Sequence, residues 1–265
     1  MQTDRDKIMG LLLSGNEQNI ELALQLESGL GIDLSDLWQE MDFFYTKGAS
    51  NWHVKQQPQL NRVEVIRFLL GANQLNLSNK GIATLELNAI IPFLPKLRQL
   101  HLQDNQLDII SESIGQLKNL SILGLWNNQL SSLPDAIGNL NKLWALNVWN
   151  NKICKLPASI GNLSALNSLF LRENKLKSLP PELEGMSSLK ELNISKNKLQ
   201  SVPEVIAKLK ALEHLNLSEN RRIKKIPNFI LDLPNLKVLE LNRLQLSPKF
   251  VADLRAALPD VRIEF

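Results

Sequence analysis

A single cysteine, Cys154, is all the thiol chemistry that this 265-residue chain possesses. No intrachain disulfide can form, and one thiolate cannot assemble a multi-cysteine zinc site. Histidine is almost as scarce: His53, His101 and His214 fall in separate parts of the chain, so no metal-ligand spacing arises. A bias of charge is also missing. The 30 Lys and Arg against 27 Asp and Glu leave a formal net charge of +3, too balanced for the clustered basic surface that nonspecific nucleic-acid binding requires. No apolar run approaches the length of a membrane span, so no membrane partner is expected. The N-terminus, MQTDRDKIMGLLLSGN, sets Asp4 and Asp6 where a secretory leader carries positive charge, and its apolar run breaks at Ser14 and Gly15.

What the chain has in abundance is leucine at a fixed interval. The frame LxxLxLxxNxL gives LRQLHLQDNQL from Leu97, LSILGLWNNQL from Leu120 and LWALNVWNNKI from Leu143. LNSLFLRENKL from Leu166, LKELNISKNKL from Leu189, LEHLNLSEN from Leu212 and LKVLELNRLQL from Leu236 continue it. The step is 23 residues five times and then 24. A degenerate first copy, ANQLNLSNKGI, starts at Ala72, and LPDVRIEF from Leu258 resembles a last half-copy. Alternate residues of an extended LxL segment point to opposite faces, so the leucines go inward and the intervening residues outward. One such unit cannot bury its apolar face alone, and stacking of successive units supplies the core.

Asparagine recurs at the end of each frame, as Asn105, Asn128, Asn151, Asn174, Asn197 and Asn220. There the chain turns off the strand, and a side-chain amide can satisfy backbone groups of its own and the adjacent coil. These six are therefore expected to form a structural ladder. Pro134, Pro157, Pro180, Pro203 and Pro227 follow an apolar residue in each unit, a position expected in the first turn of a short helix.

The frame is identified as the leucine-rich repeat pattern. The rest of each unit, such as SSLPDAIGNLNK or CKLPASIGNLSA, resembles the LPxxIxxLxx form of intracellular Scribble-like and Ras-associated repeat proteins and of many bacterial cytoplasmic ones. The resemblance implies an α/β fold: a solenoid with a curved parallel sheet inside and short helices outside. Extracellular proteins of this type usually brace their ends with disulfides, so the lone cysteine favours a cytoplasmic location.

Solenoid ends need covers. Residues 1–70 lack the repeat and read as an α-helical N-terminal cap, or alternatively as a second interaction module; residues 71–247 hold the repeats. Thr3 and Asp6 resemble a capping box, Ile20, Ala23 and Leu24 share a helical face ending at Gly29, and Trp38, Met41 and Tyr45 form another. Val63, Ile66 and Leu70 form a third, with a loop expected over residues 47–59. Residues 248–265 read as a helix beginning after Ser247 and a short strand, closing the other end.

Nothing points to catalysis or to a cofactor. Cys154, expected to be packed or half-buried, has no histidine in its neighbourhood to activate it. The glycines of IGNL and IGQL recur in the repeat frame rather than before a phosphate-binding helix, and RRIKK at residues 221–225 reads as a solvated turn.

The variable, outward positions carry the functional information. One column runs Asn76, His101, Gly124, Asn147, Phe170, Asn193, Asn216, Glu240; two residues on, another runs Ser78, Gln103, Trp126, Trp149, Arg172, Ser195, Ser218, Asn242. Parallel strands lie ~4.8 Å apart, which makes Trp126 and Trp149 direct neighbours, with Phe170 one strand beyond. Trp144 belongs at the other end of its strand, and Gly124 is expected to leave a gap beside the rings. Tryptophan dominates binding hot spots. The partner-binding candidates are therefore Trp126, Trp149, Phe170, Trp144, Arg172 and Asn147, on a noncatalytic scaffold whose concave face holds a protein or peptide. A carbohydrate stacked on the tryptophans, and a recognition segment of a larger enzyme, are the alternatives. The tryptophans could instead stack on each other for structural reasons.

Overall fold

In a computed structural model, residues 4–14, 16–30, 37, 39, 62–85 and 91–265 are described. Thr3, Trp38, Met41, Tyr45, His53 and the expected 47–59 loop lie outside these residues. Two helices open the chain, α1 (Asp4–Leu13) and α2 (Glu17–Leu30), and α3 (Arg62–Gly71) precedes the first strand. The Asn16 side-chain oxygen caps α2 by accepting from the amides of Gln18 and Asn19 at 2.9 and 3.3 Å. Ile8, Leu12, Ile20, Ala23, Ile66 and Leu69 join Leu75 and Leu77 in one continuous apolar core, so the helices cover the first coil. Leu69, which the expected stripe passed over, is fully buried, and Leu70 is only partly so.

Among the described residues, nine three-residue strands follow: β1 (Gln74–Asn76), β2 (Gln99–His101), β3 (Ile122–Gly124), β4 (Ala145–Asn147), β5 (Ser168–Phe170), β6 (Glu191–Asn193), β7 (His214–Asn216), β8 (Val238–Glu240) and β9 (Arg262–Glu264). They pair in sequence order, all parallel, in a single open curved sheet. The central leucines are in register from Leu75 through Leu100, Leu123, Leu146, Leu169, Leu192, Leu215 and Leu239 to Ile263. All but Ile263 are at most 1% exposed, which fixes their strand neighbours on the concave face. Helix α4 (Pro248–Ala257) follows β8, capped by the Ser247 hydroxyl accepting from the Phe250 amide at 3.3 Å.

The convex side is built from one-turn 3-10 helices, among them Glu112–Gln116, Asp135–Asn139 and Ala158–Asn162. The prolines do not enter those turns as expected. Pro134, Pro157, Pro180, Pro203 and Pro227 each stand one residue earlier with ψ between 131 and 155°. From there the proline carbonyl accepts the first bond of the turn, as Pro134 does from Ile137 at 3.1 Å, and its missing N–H leaves nothing unpaired.

Each ladder asparagine binds its own coil and the one before it. The Asn151 amide donates to the carbonyls of Val148 (3.0 Å), Trp149 (3.2 Å) and Leu125 (3.0 Å), while its oxygen accepts from the Leu130 amide at 2.9 Å. Asn105, Asn128, Asn174 and Asn220 repeat this arrangement on the coils they join. Asn197 does so as well.

The residue before each ladder position is left-handed. Asp104, Asn127, Asn150, Glu173, Lys196, Glu219 and Arg243 have φ between 51 and 62°. Asparagine adopts that conformation at less cost than the glutamates, lysine and arginine that share it, which accounts for the Asn-Asn pairs at 127–128 and 150–151. Arg243→Asn is accordingly expected to raise stability by about 0.5–1 kcal/mol. Its exposed ion pair with Glu219, at 3.4 Å, offsets little of that gain. A lower denaturation midpoint for this variant would count against the assignment.

Candidate functional site

Phe170 ends β5, and Trp126 and Trp149 stand two residues past the ends of β3 and β4. The Trp126 and Trp149 rings stack with centroids 5.8 Å apart and planes 21° from parallel. On the opposite side of Trp149, the Arg172 guanidinium lies 5.9 Å from the ring centroid. The Trp149 indole N–H donates to Glu173 at 3.3 Å. Glu173 also accepts from Lys196, and that bond, opposed in part by burial, holds its carboxyl below the usual range. Arg172 reaches on to Glu219 at 3.6 Å. Trp149 is thus held on both faces and at its nitrogen, with its remaining edge toward solvent.

Beside that edge lies an open depression of about 330 Å³ lined by Asn147, Trp149, Phe170, Arg172 and Asn193. Four of the sequence candidates meet here, and Trp126 supports them from the next coil. Trp144 does not join them. It is 51% exposed and lies five residues before Trp149 on the same coil, at the far end of the strand. Between the two ends, Ile122 and Ala145 present half-buried apolar side chains in the first strand column. Those two were not singled out from the sequence, although the frame places them outward. Glu173 was missed as well; its signal is its place in the left-handed column, one coil beyond Asn150.

Three expectations need correction. Gly124 leaves no gap: a Cβ there would meet the Gln103 side-chain oxygen at 2.9 Å, because the glutamine leans into the space. Ser195 and Ser218, expected outward, are 0% and 5% exposed. Arg172 spans from its own coil to Glu219 two coils on and so roofs Ser195, whose hydroxyl donates to Asn193 at 2.7 Å. The Ser218 oxygen is taken up by the Asn242 amide at 3.1 Å. Cys154 is exposed rather than half-buried, since its position follows the inward-pointing Ile153.

His101 is half-buried on β2, and that burial lowers its pKa; His214 is exposed on β7. Among the described residues, no group of three or more His, Cys, Asp or Glu could hold a metal ion. Among them, too, no helix is long and apolar enough to cross a membrane.

A family model described as a leucine-rich repeat region matches residues 48–172, and one described as leucine rich repeat matches residues 164–221 and 187–246. No curated protein matches the chain. Several solved structures do. A leucine-rich repeat protein of Leptospira interrogans is 34% identical, with a TM-score of 0.65, over 78% of this chain and 58% of that one. The ectodomain of the plant membrane receptor kinase GASSHO1/SCHENGEN3 from Arabidopsis thaliana, in complex with Casparian strip integrity factor 2, is also 34% identical. Its TM-score is 0.58, over 68% of this chain and 22% of that one. A plant peptide hormone receptor, RGFR1, in complex with RGF2, is 28% identical, with a TM-score of 0.54, over 64% and 28%. The chain therefore spans between 22% and 58% of the length of these relatives.

Proposed function

The chain belongs to the leucine-rich repeat family, and from that premise we propose that it is a noncatalytic interaction scaffold holding a protein or peptide segment against the aromatic part of its concave face. The observation that carries this reading is the depression beside Trp149, whose walls are set before any partner arrives. Trp126, Arg172 and Glu173 already restrain the indole, so little side-chain freedom remains to be lost on binding. The two receptor structures, each solved in complex, support the same reading. A cytoplasmic setting, suggested by the single cysteine, belongs to the proposal.

Carbohydrate is the second reading, and the geometry disfavours it. A sugar stacks on an open ring face, whereas both faces of Trp149 are covered, by Trp126 and by Arg172. The depression offers ring edges, a guanidinium and two amides, which suit a side chain and a peptide backbone.

The test is to select binders for the intact chain from displayed random peptides and, in parallel, to screen it on a glycan array. Selected peptides are expected to bind Trp126→Ala or Trp149→Ala more weakly by roughly 2 kcal/mol or more. His214→Ala, exposed but outside the cluster, should bind as the parent does. Neither set of variants should shift the unfolding midpoint much, because these rings lie outside the leucine core. Glycans as the only ligands, or tryptophan variants that unfold early and bind normally, would overturn the reading.

A further inference from the structure

Past Phe170 the concave face changes from aromatic to acidic. The basic side chains there are engaged along its rims. Lys190 and Lys237 converge on Glu213 at 2.9 and 2.5 Å, Arg172 and Arg243 on Glu219, and Lys196 on Glu173. The hydrogen bonds from Lys237 and Lys190 pull the Glu213 carboxyl down to about 2. The carboxylates in the middle of the face are not matched in this way. Among the described residues, Glu240 on β8 accepts from the Asn216 amide, at 2.7 Å, and has no ion pair. Glu264 on β9, its in-register neighbour, is paired among them with Arg262 of its own strand, at 3.1 Å. Burial and the Glu264 charge raise the Glu240 pKa, opposed in part by the charges of Arg262, His214 and Arg172. Like charges paired across adjacent strands disfavour each other. Glu191 on β6 also faces outward without an ion pair among the described residues.

Resting on the peptide reading above, we propose that the occupant is an extended basic segment, with a large apolar side chain seated between Trp149 and Phe170 and a lysine or arginine paired with Glu240 and Glu264. The spacing follows from the sheet. From β5 to β8 or β9 is three or four strand intervals, about 14–19 Å, and an extended chain at ~3.3 Å per residue crosses that in about four to six residues. The cation would relieve the repulsion between two carboxylates that have Arg262 as their nearest shared cation, ion-paired to Glu264. The intervening Arg172 does not repel it strongly, because that guanidinium is committed to Glu219 and Trp149.

Random dodecamers displayed on phage and selected on the intact chain test this. Lysine or arginine should be enriched four to six residues from an aromatic or large aliphatic residue. A resynthesised binder should lose about tenfold in affinity against Glu240→Gln/Glu264→Gln, with the loss shrinking at high salt. The glutamines keep an oxygen for Asn216, so folding is expected to hold and is checked by the unfolding midpoint. Replacing the binder's basic residue with glutamate should weaken binding to the parent chain further. Binders that need Trp149 but show no basic enrichment, or an acidic one, overturn this inference and leave the aromatic reading standing. If no Trp149-dependent binder emerges, both fail.

Discussion

Replacing Asn151 by alanine is expected to lower stability by about 3 kcal/mol, from the sum of one orphaned amide and the lost carbonyl bonds. The two kinds of bond are not equally exposed to the change. The Leu125 carbonyl also accepts from Asn128 at 3.0 Å, and the Val148 carbonyl from Asn174 at 2.9 Å, so both keep a donor. The Leu130 amide has no such reserve: its bond goes to the Asn151 oxygen, at 2.9 Å. An unpaired buried N–H costs about 1–3 kcal/mol, and the weakened carbonyl bonds add the remainder. Asn150→Gly is the control. It removes an exposed amide one residue away and suits the φ of 51°, so it should change little. A midpoint for Asn151→Ala as close to the parent as that of Asn150→Gly would mean that water replaces the ladder amide.

Gly161→Ala is expected to destabilise the chain by about 3 kcal/mol or more, through overpacking that no rotamer change can relieve. A Cβ at this position would fall on the peptide group of Glu182 in the next coil, 2.6 Å from its carbonyl carbon. The same holds at Gly115, where the Ala136 carbonyl oxygen stands 2.5 Å away, and at Gly138, where the Ser159 Cβ stands 2.8 Å away. Backbone meets backbone, so two coils must part. Gly10→Ala supplies the opposite sign. Nothing lies within 4 Å of a Cβ added there, in the middle of α1, so better helix propensity should stabilise by roughly 0.5–1 kcal/mol. Chemical denaturation of the pair reads both, and equal midpoints would refute the stacking account.

The parts of this molecule that translate with the repeat could be read from the sequence. Once Leu97 and its successors set the period, the inward leucines, the ladder asparagines and the adjacency of Trp126 and Trp149 follow by simple displacement. What escaped depends on side-chain length or on neighbouring coils. Arg172 buries Ser195 because it extends across two coils, and Gln103 fills the space over Gly124 because it can bend; neither is a property of a column. The glycines of IGNL and IGQL show in the sequence only as a recurrence in the repeat frame, whereas the constraint on them comes from the neighbouring unit. The proline displacement is of another kind: a 3-10 turn and an α-helix begin alike in sequence, and the difference is one residue of extended chain.

The same glycines govern how sharply the arc bends. A stack of coils curves because its back is thicker than its front, where strands are held ~4.8 Å apart. With Gly115, Gly138 and Gly161 the back closes until backbone touches backbone, which favours a gentle bend over those coils. The close approach continues into the next coil, where a Cβ on Gly185 would meet the Gly161 carbonyl oxygen at 2.4 Å; beyond it Ala207 and Leu231 stand in the position of Gly161. Gly138 meets Ser159 behind the two coils that carry Trp126 and Trp149 in front, whose rings stack with planes 21° from parallel. A side chain that parted those coils at the back is therefore expected to disturb the ring pair on the concave face.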